Sequence, residues 1–249
     1  MVTTYMGTAA IARINKGLDW VIIGGGLTVM QEVFVLKSSP FKSINDLRGK
    51  KFSSWSTGAG AFKATRAVIM DGFGIDVLKD TAFVQAAAPA LFKLLQRGNV
   101  DSMLNISSLT IAAAAQPDKY RSIFAPNAYW KKKTGHAIGW SAPIVAWRSW
   151  VDEDRARAKA HVKATHESFK WLRNPANLDA AVKKYGTLAA VKNQAQANVY
   201  KKWLSEGKVF MSTWDAKTRA NQWEFLKMAA KRGVLGKVPS MEKHGLILE

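Results

Sequence analysis

The chain has 249 residues, 48% of them hydrophobic and 22% charged, which is the balance of a packed globular protein and excludes a disordered or fibrous one. It has no cysteine, so disulfides, thiolate catalysis and cysteine-ligated zinc or iron–sulfur centres are excluded. A net charge of +19 favours acidic partners, yet the basic residues are scattered. Runs such as Lys131-Lys132-Lys133 and Lys183-Lys184 sit among acidic residues and amphipathic helix, the pattern of a solvated surface and not of a nucleic-acid stripe.

Residues 1–6 lack the basic-then-apolar profile of an export signal, which taken literally predicts a cytoplasmic chain. A helix is expected over 8–16, followed by strands over 20–23 and 32–36. Between those strands lies Gly24-Gly25-Gly26, read as a flexible turn because no Lys-Ser/Thr pair and no helix follow it, as a phosphate loop would require. The longest apolar stretches, 18–29 and 109–115, are too short or too interrupted to cross a bilayer, which takes about 20 residues.

From residue 50 the pattern alternates. Strands over 51–54, 81–85 and 102–105 are separated by helices over 59–73 and 88–97, which predicts a mainly parallel sheet covered by helices. Ala61, Phe62, Val68, Ile69 and Phe73 form one apolar stripe on the first of these helices. Gly98 closes the second, as a residue free to adopt the left-handed conformation. After a looser section containing Pro117 and Pro126, a strand is expected over 138–146. The chain is then helical from Asp152, a plausible N-cap, with a stripe of Val162, Thr165, Phe169 and Leu172. Helices over 178–185, 188–204 and 215–231 are punctuated by Gly186, Gly207 and Gly233. The four histidines include His161 and His166, five apart and not the four that would place two ligands on one helical face, so no metal site and no cofactor are expected.

The segment Ser43-Ile44-Asn45-Asp46-Leu47-Arg48-Gly49-Lys50-Lys51 resembles the "dLkGKk" signature that opens the second lobe of type 2 periplasmic binding proteins. Ser56-Thr57-Gly58 looks like that family's ligand-facing strand-to-helix turn, and Leu94-Leu95-Gln96-Arg97-Gly98-Asn99-Val100-Asp101-Ser102 is similar to its "ll..G.vDa" passage. Among subfamilies, the nitrate, sulfonate and taurine binders, which share a fold with the thiamine-precursor group, are the nearest resemblance. It implies an α/β fold of two lobes joined by two crossing strands, with a helical C-terminal third. Residues 1–36 would be a remnant of lobe 1, residues 37–137 lobe 2, and residues 138–249 the return to lobe 1 and the C-terminal helices. The family's export signal and first βαβ unit are missing from this chain, so an N-terminally truncated, extracytoplasmic protein is expected. The implied function is capture of a small anionic solute for an ABC-importer permease by a monomer that is not an enzyme. A sensory domain of a regulator is the alternative; an enzyme resembling thiamine-pyrimidine synthases is disfavoured by the absence of cysteine.

In such a fold the ligand lies at the carboxyl ends of the sheet strands, where helix N-termini supply unpaired N–H groups and partial positive charge. Ser56, Thr57 and Gly58 fit that position, with two hydroxyl donors and a glycine for close approach; plain capping of the helix is the competing reading. Gln85, Asn105 and Ser107 hold the neighbouring strand-end positions, or are ordinary turn formers. Tyr5, Gly7 and Thr8 are expected on the opposite wall. Trp140, and less so Trp55 and Trp147, would cover an apolar part of the ligand or belong to the core. Arg66 and Lys63 could supply charge or lie in solvent.

Overall fold

The computed structural model describes residues 2–248. The chain opens with β1 (Val2–Thr4) and α1 (Gly7–Asn15) and runs through β2 (Trp20–Leu27) into β3 (Val33–Leu36). Three strand-helix units follow: β4 (Phe52–Ser54) with α2 (Gly60–Phe73), β5 (Val84–Gln85) with α3 (Ala88–Gln96), and β6 (Ser102–Leu104) with α4 (Ser107–Ala114). After β7 (Tyr120–Phe124) and α5 (Pro126–Thr134), β8 (Ala142–Trp147) leads into α6 (Arg148–Glu153), α7 (Arg155–Trp171), α8 (Pro175–Tyr185), α9 (Gln194–Ser205), α10 (Ala216–Lys231) and α11 (Met241–His244).

These strands form two sheets. The first has the order β1-β8-β2 and is antiparallel; the second has the order β5-β4-β6-β3-β7. In the second sheet β4 is parallel to β5 and β6, as alternating strand and helix dictates, but β3 is antiparallel to both β6 and β7. Four of the five strands therefore run one way, as a mainly parallel sheet requires, and β3 alone runs against them. The reason is that β3 enters from the other sheet and not from a preceding helix. Residues 28–32 carry the chain from β2 to β3, residues 137–141 carry it back to β8, and the two segments are tied by Val29 N–H donating to the Ile138 carbonyl at 2.9 Å.

Four of the five residues in the expected stripe on α2, Ala61, Phe62, Val68 and Ile69, are at 6% exposure or less, and Phe73 in the last turn is partly buried against the same core. Each large side chain so buried contributes roughly 1.5–3 kcal/mol relative to exposure. Gly98 follows α3 with φ of 70°, the left-handed conformation that ends a helix.

Other local expectations are revised. Gly24, Gly25 and Gly26 are not a flexible turn but lie inside β2, at shifts in its register with β8. Their role is steric: a Cβ on Gly26 would sit 2.0 Å from the Ala142 carbonyl oxygen, and one on Gly25 2.6 Å from Met211 Cγ. The looser section holds β7 and α5, whose N-terminal proline suits the first turn of a helix. Asp152 lies within α6; the cap of α7 is Asp154, which accepts from Arg157 N–H at 2.8 Å. The helix expected over 188–204 is divided by a 3-10 turn (Gly186–Ala189) and by Ala190 at φ 55°, and α9 starts afresh under an Asn193 cap.

Candidate functional site

The helices divide into two groups by how they begin. The six that directly follow a strand, α1 to α6, have Met6, Ala59, Ala87, Ile106, Ala125 and Trp147 at their N-caps, none making a side-chain cap and none with an acidic residue in the first turn. The five others are capped by Asp154, Asn174, Asn193, Asp215 and Ser240. A side-chain cap satisfies an N–H and, when acidic, neutralises the positive helix end. The helix starts at the strand ends therefore keep unsatisfied donors and partial positive charge.

Two of these open starts, one following a strand of each sheet, come together. A Cβ on Gly60, first residue of α2, would lie 3.3 Å from Thr8 Oγ1 and 3.4 Å from the Trp140 carbonyl oxygen; one on Gly7, first residue of α1, would lie 2.7 Å from that same oxygen. Glycine at both positions permits the approach, over the segment that carries the chain back to the first sheet. Thr8 is buried here at 6% exposure. Ser56 and Thr57 are half-buried just before α2, and Ser56 Oγ accepts from Gly58 N–H at 3.2 Å. Because Ala59 holds the N-cap, neither hydroxyl caps the helix.

The remaining residues singled out from sequence fall as follows. Trp140 is 1% exposed, donates its indole N–H to the Gln222 carbonyl at 2.9 Å and meets Trp223 edge-on, so its ring belongs to the core and its backbone faces the helix starts. Tyr5 packs edge-on against Trp20 at 5.2 Å and accepts from Arg13 on the flank of α1. Asn105, 1% exposed, donates to the Ala88 carbonyl at 3.0 Å and accepts from Ile106 N–H at 2.9 Å, tying the end of β6 to the start of α3. Gln85 is exposed on the edge strand β5. Ser107 is the first residue of α4, and its hydroxyl accepts from Gln31 Nε2 at 2.8 Å. Trp55 and Trp147 are partly buried against the main core, and Arg66 is held by Asp76 at 2.6 and 2.7 Å, away from the helix starts.

Sequence reasoning missed a cavity of about 1150 Å³ between the start of α4 and helices α7 to α9, where Ser107 and Ser108 face Met30, Trp171, Tyr185 and Tyr200. Its rim includes Trp171 and Tyr185, 46% and 47% exposed. Large aromatics on the polar side of amphipathic helices were the available signal. Burial pushes the Tyr200 phenol up from its ordinary pKa. Gln31, in the segment from β2 to β3, was also missed; it is 4% exposed and its Oε1 has no partner among the described residues.

The family model described as "NMT1/THI5 like" matches residues 1–178. No curated protein matches the sequence significantly. Among solved structures, the periplasmic aliphatic sulphonate binding protein SsuA from Escherichia coli aligns at 14% identity and a TM-score of 0.67, over 98% of this chain and 74% of that one. The alkanesulfonate-binding protein SsuA from Xanthomonas axonopodis pv. citri, bound to MOPS, aligns at 12% identity and 0.73, over 99% and 80%. The desulfurization enzyme DSZB aligns at 12% identity and 0.66, over 99% and 82%. The fold is therefore that of type 2 periplasmic binding proteins, a frame that also carries at least one enzyme.

Proposed function

Since the chain belongs to the NMT1/THI5-like family, we propose that it is an extracytoplasmic solute receptor that captures a small organic anion between its two sheets and presents it to an ABC-importer permease. The observation that carries this reading is the meeting of two uncapped helix starts, at Gly7-Thr8 and at Gly60, one following a strand of each sheet. Unsatisfied N–H groups and aligned dipoles favour an anion there without a fixed lysine or arginine. In this reading the hydroxyls of Ser56, Thr57 and Thr8, beside these two starts, orient it. Two sheets joined by two crossing segments suit hinge closure, in which ligand draws the halves together and the closed form docks. The SsuA proteins named above support this role, and the named solutes sulfonate, taurine, nitrate and aromatic acids form the panel to examine.

The test is thermal denaturation of the purified chain with each compound in millimolar amounts. Ligand at a hundred times its Kd adds about 2.7 kcal/mol, a rise of roughly 5–10 °C for a chain of this size. A folded chain whose melting temperature none of these anions moves would overturn the receptor reading.

A further inference from the structure

Apolar side chains that the packing leaves uncovered gather on one surface of the C-terminal helices. Among the described residues the large hydrophobic side chains most open to solvent are Met6, Trp171, Tyr185 and Leu188, and the last three lie together around the cavity bounded by α7, α8 and the 3-10 turn after α8. We propose that this surface docks on an anionic phospholipid bilayer. Leu188, Trp171 and Tyr185 enter the headgroup layer, while Lys170, Lys183, Lys184 and Lys192 face the lipid phosphates. Such docking needs no solute, so it stands apart from the receptor reading.

The first support is the projection of Leu188, which is 85% exposed. Single exposed apolar residues are ordinary, whereas a contiguous group marks a surface that something covers. Leu188 stands on a turn closed by Ala190 N–H donating to the Thr187 carbonyl at 3.0 Å and Val191 N–H to the Gly186 carbonyl at 2.9 Å, with Ala190 at φ 55°. A bilayer supplies the deformable cover that such a fixed projection needs; a folded partner would need a matching hole. The second is the identity of the rings, since tryptophan and tyrosine have the apolar body and polar tip that settle at a membrane–water interface. The third is charge. Lys170 precedes Trp171, Lys183 and Lys184 precede Tyr185, and Lys192 follows the turn; all four are exposed, and none is in an ion pair among the described residues. The neighbouring carboxylates are already engaged, Glu167 by Lys163 at 3.9 Å and Asp179 by Lys201 at 2.7 Å. The C-terminal ends of α7 and α8 offset about half a unit charge each, which leaves most of the lysine charge facing outward. Lys184 Nζ lies 5.2 Å from the centre of the Tyr185 ring, so cation and ring meet the surface at one spot. No described helix is long and apolar enough to cross a membrane, and the attachment is therefore to its surface.

Co-sedimentation of the purified chain with vesicles tests this, using phosphatidylcholine alone and phosphatidylcholine with about 30% phosphatidylglycerol. The anionic vesicles are expected to bind at least about tenfold more tightly, and added salt should weaken them. Each lysine near an anionic surface is worth about fivefold in affinity, so Lys183→Gln combined with Lys184→Gln should lose at least about tenfold. Leu188→Ser should lose at least about threefold while the melting temperature holds, because the side chain it replaces packs on little. Lys131→Gln combined with Lys132→Gln makes the same charge change on α5, away from any exposed large hydrophobic residue, and should stay within about twofold of the parent. An equal loss from the α5 pair would assign binding to overall charge and overturn this surface. A Leu188→Ser variant that binds as the parent does would overturn the apolar contact, and a folded chain that no vesicle sediments would overturn the membrane. A synthetic amphipathic helix of leucine and glutamate, bound through Lys183, Lys184 and Leu188 when vesicles are not, would put an acidic protein helix in the bilayer's place.

Discussion

Gln31 reaches from the segment leading out of β2 to donate to Ser107 Oγ at 2.8 Å, so the crossing between the two sheets holds the first residue of α4. Any rotation at the crossing is thereby coupled to the α4 start. Replacing Gln31 with leucine removes this bond and also an Oε1 that already lacks a partner. A net hydrogen bond contributes about 0.5–1.5 kcal/mol, and loss of an unsatisfied buried atom offsets part of it. Gln31→Leu should therefore cost under about 1 kcal/mol in urea denaturation, while the ligand-induced rise in melting temperature falls by half or more.

The glycines of β2 and of the β4–α2 turn predict opposite outcomes for one substitution. Gly26→Ala would drive its Cβ to 2.0 Å from the Ala142 carbonyl oxygen, inside a paired strand that has no room to yield. Overpacking of this kind costs about 1–3 kcal/mol, and a backbone clash puts it at the upper end or beyond. Gly58→Ala meets nothing closer than Ser56 Oγ at 3.7 Å, and φ there is not positive, so its denaturation midpoint should stay within about 0.5 kcal/mol of the parent.

That contrast also marks where the sequence was readable. The βα alternation from residue 50, the α2 stripe and the left-handed Gly98 follow from local periodicity and turn chemistry, and each appears where those rules put it. The glycine run in β2 does not, because its cause is Met211, Ala142 and Ile144, residues 116 or more positions away in the chain. The same holds for the site. Ser56, Thr57, Gly7 and Thr8 could be chosen because strand-to-helix turns have a sequence signature. The cavity walls on α7 to α9 left only the weak signal of large aromatics such as Trp171 and Tyr200 on partly exposed helix faces, which does not say which faces meet. The antiparallel course of β3 was hidden for the same reason: direction in a sheet is set by where the chain comes from, which periodicity does not record.

If the α2 start holds an anion, a fixed carboxylate there should both stabilise the protein and compete with the ligand. Ala59→Asp supplies a side-chain cap at a position that has none, a change worth about 0.5–2 kcal/mol of added stability. Ligand binding should fall at least tenfold, read by titration with whichever acid binds the parent chain. A variant that gains stability and keeps full affinity would place the anion elsewhere.

Acid sensitivity should arise largely from two partly buried aspartates, Asp71 in the last turn of α2 and Asp76 just after it. The Asp76 carboxyl is held below its ordinary value of 3.8 by the Arg66 guanidinium, against an opposing effect of burial. For Asp71, burial is the largest single influence and pushes upward, but hydrogen bonds from Lys133 at 2.5 Å and Arg232 at 3.0 Å outweigh it and leave the group depressed as well. A carboxyl depressed in the folded state binds protons more readily when unfolded, so its contribution is complete above the unfolded value and is lost as pH falls through the folded one. The urea midpoint should be level from pH 7 to about 5 and decline below about 4. Asp76→Asn should cost about 1.5–3 kcal/mol at pH 7, the range for hydrogen bonds to charged groups, and flatten the acid decline so that parent and variant converge at low pH. A parallel decline in both chains would show that the Arg66–Asp76 pair, with side chains 17% and 8% exposed, contributes nothing to acid stability.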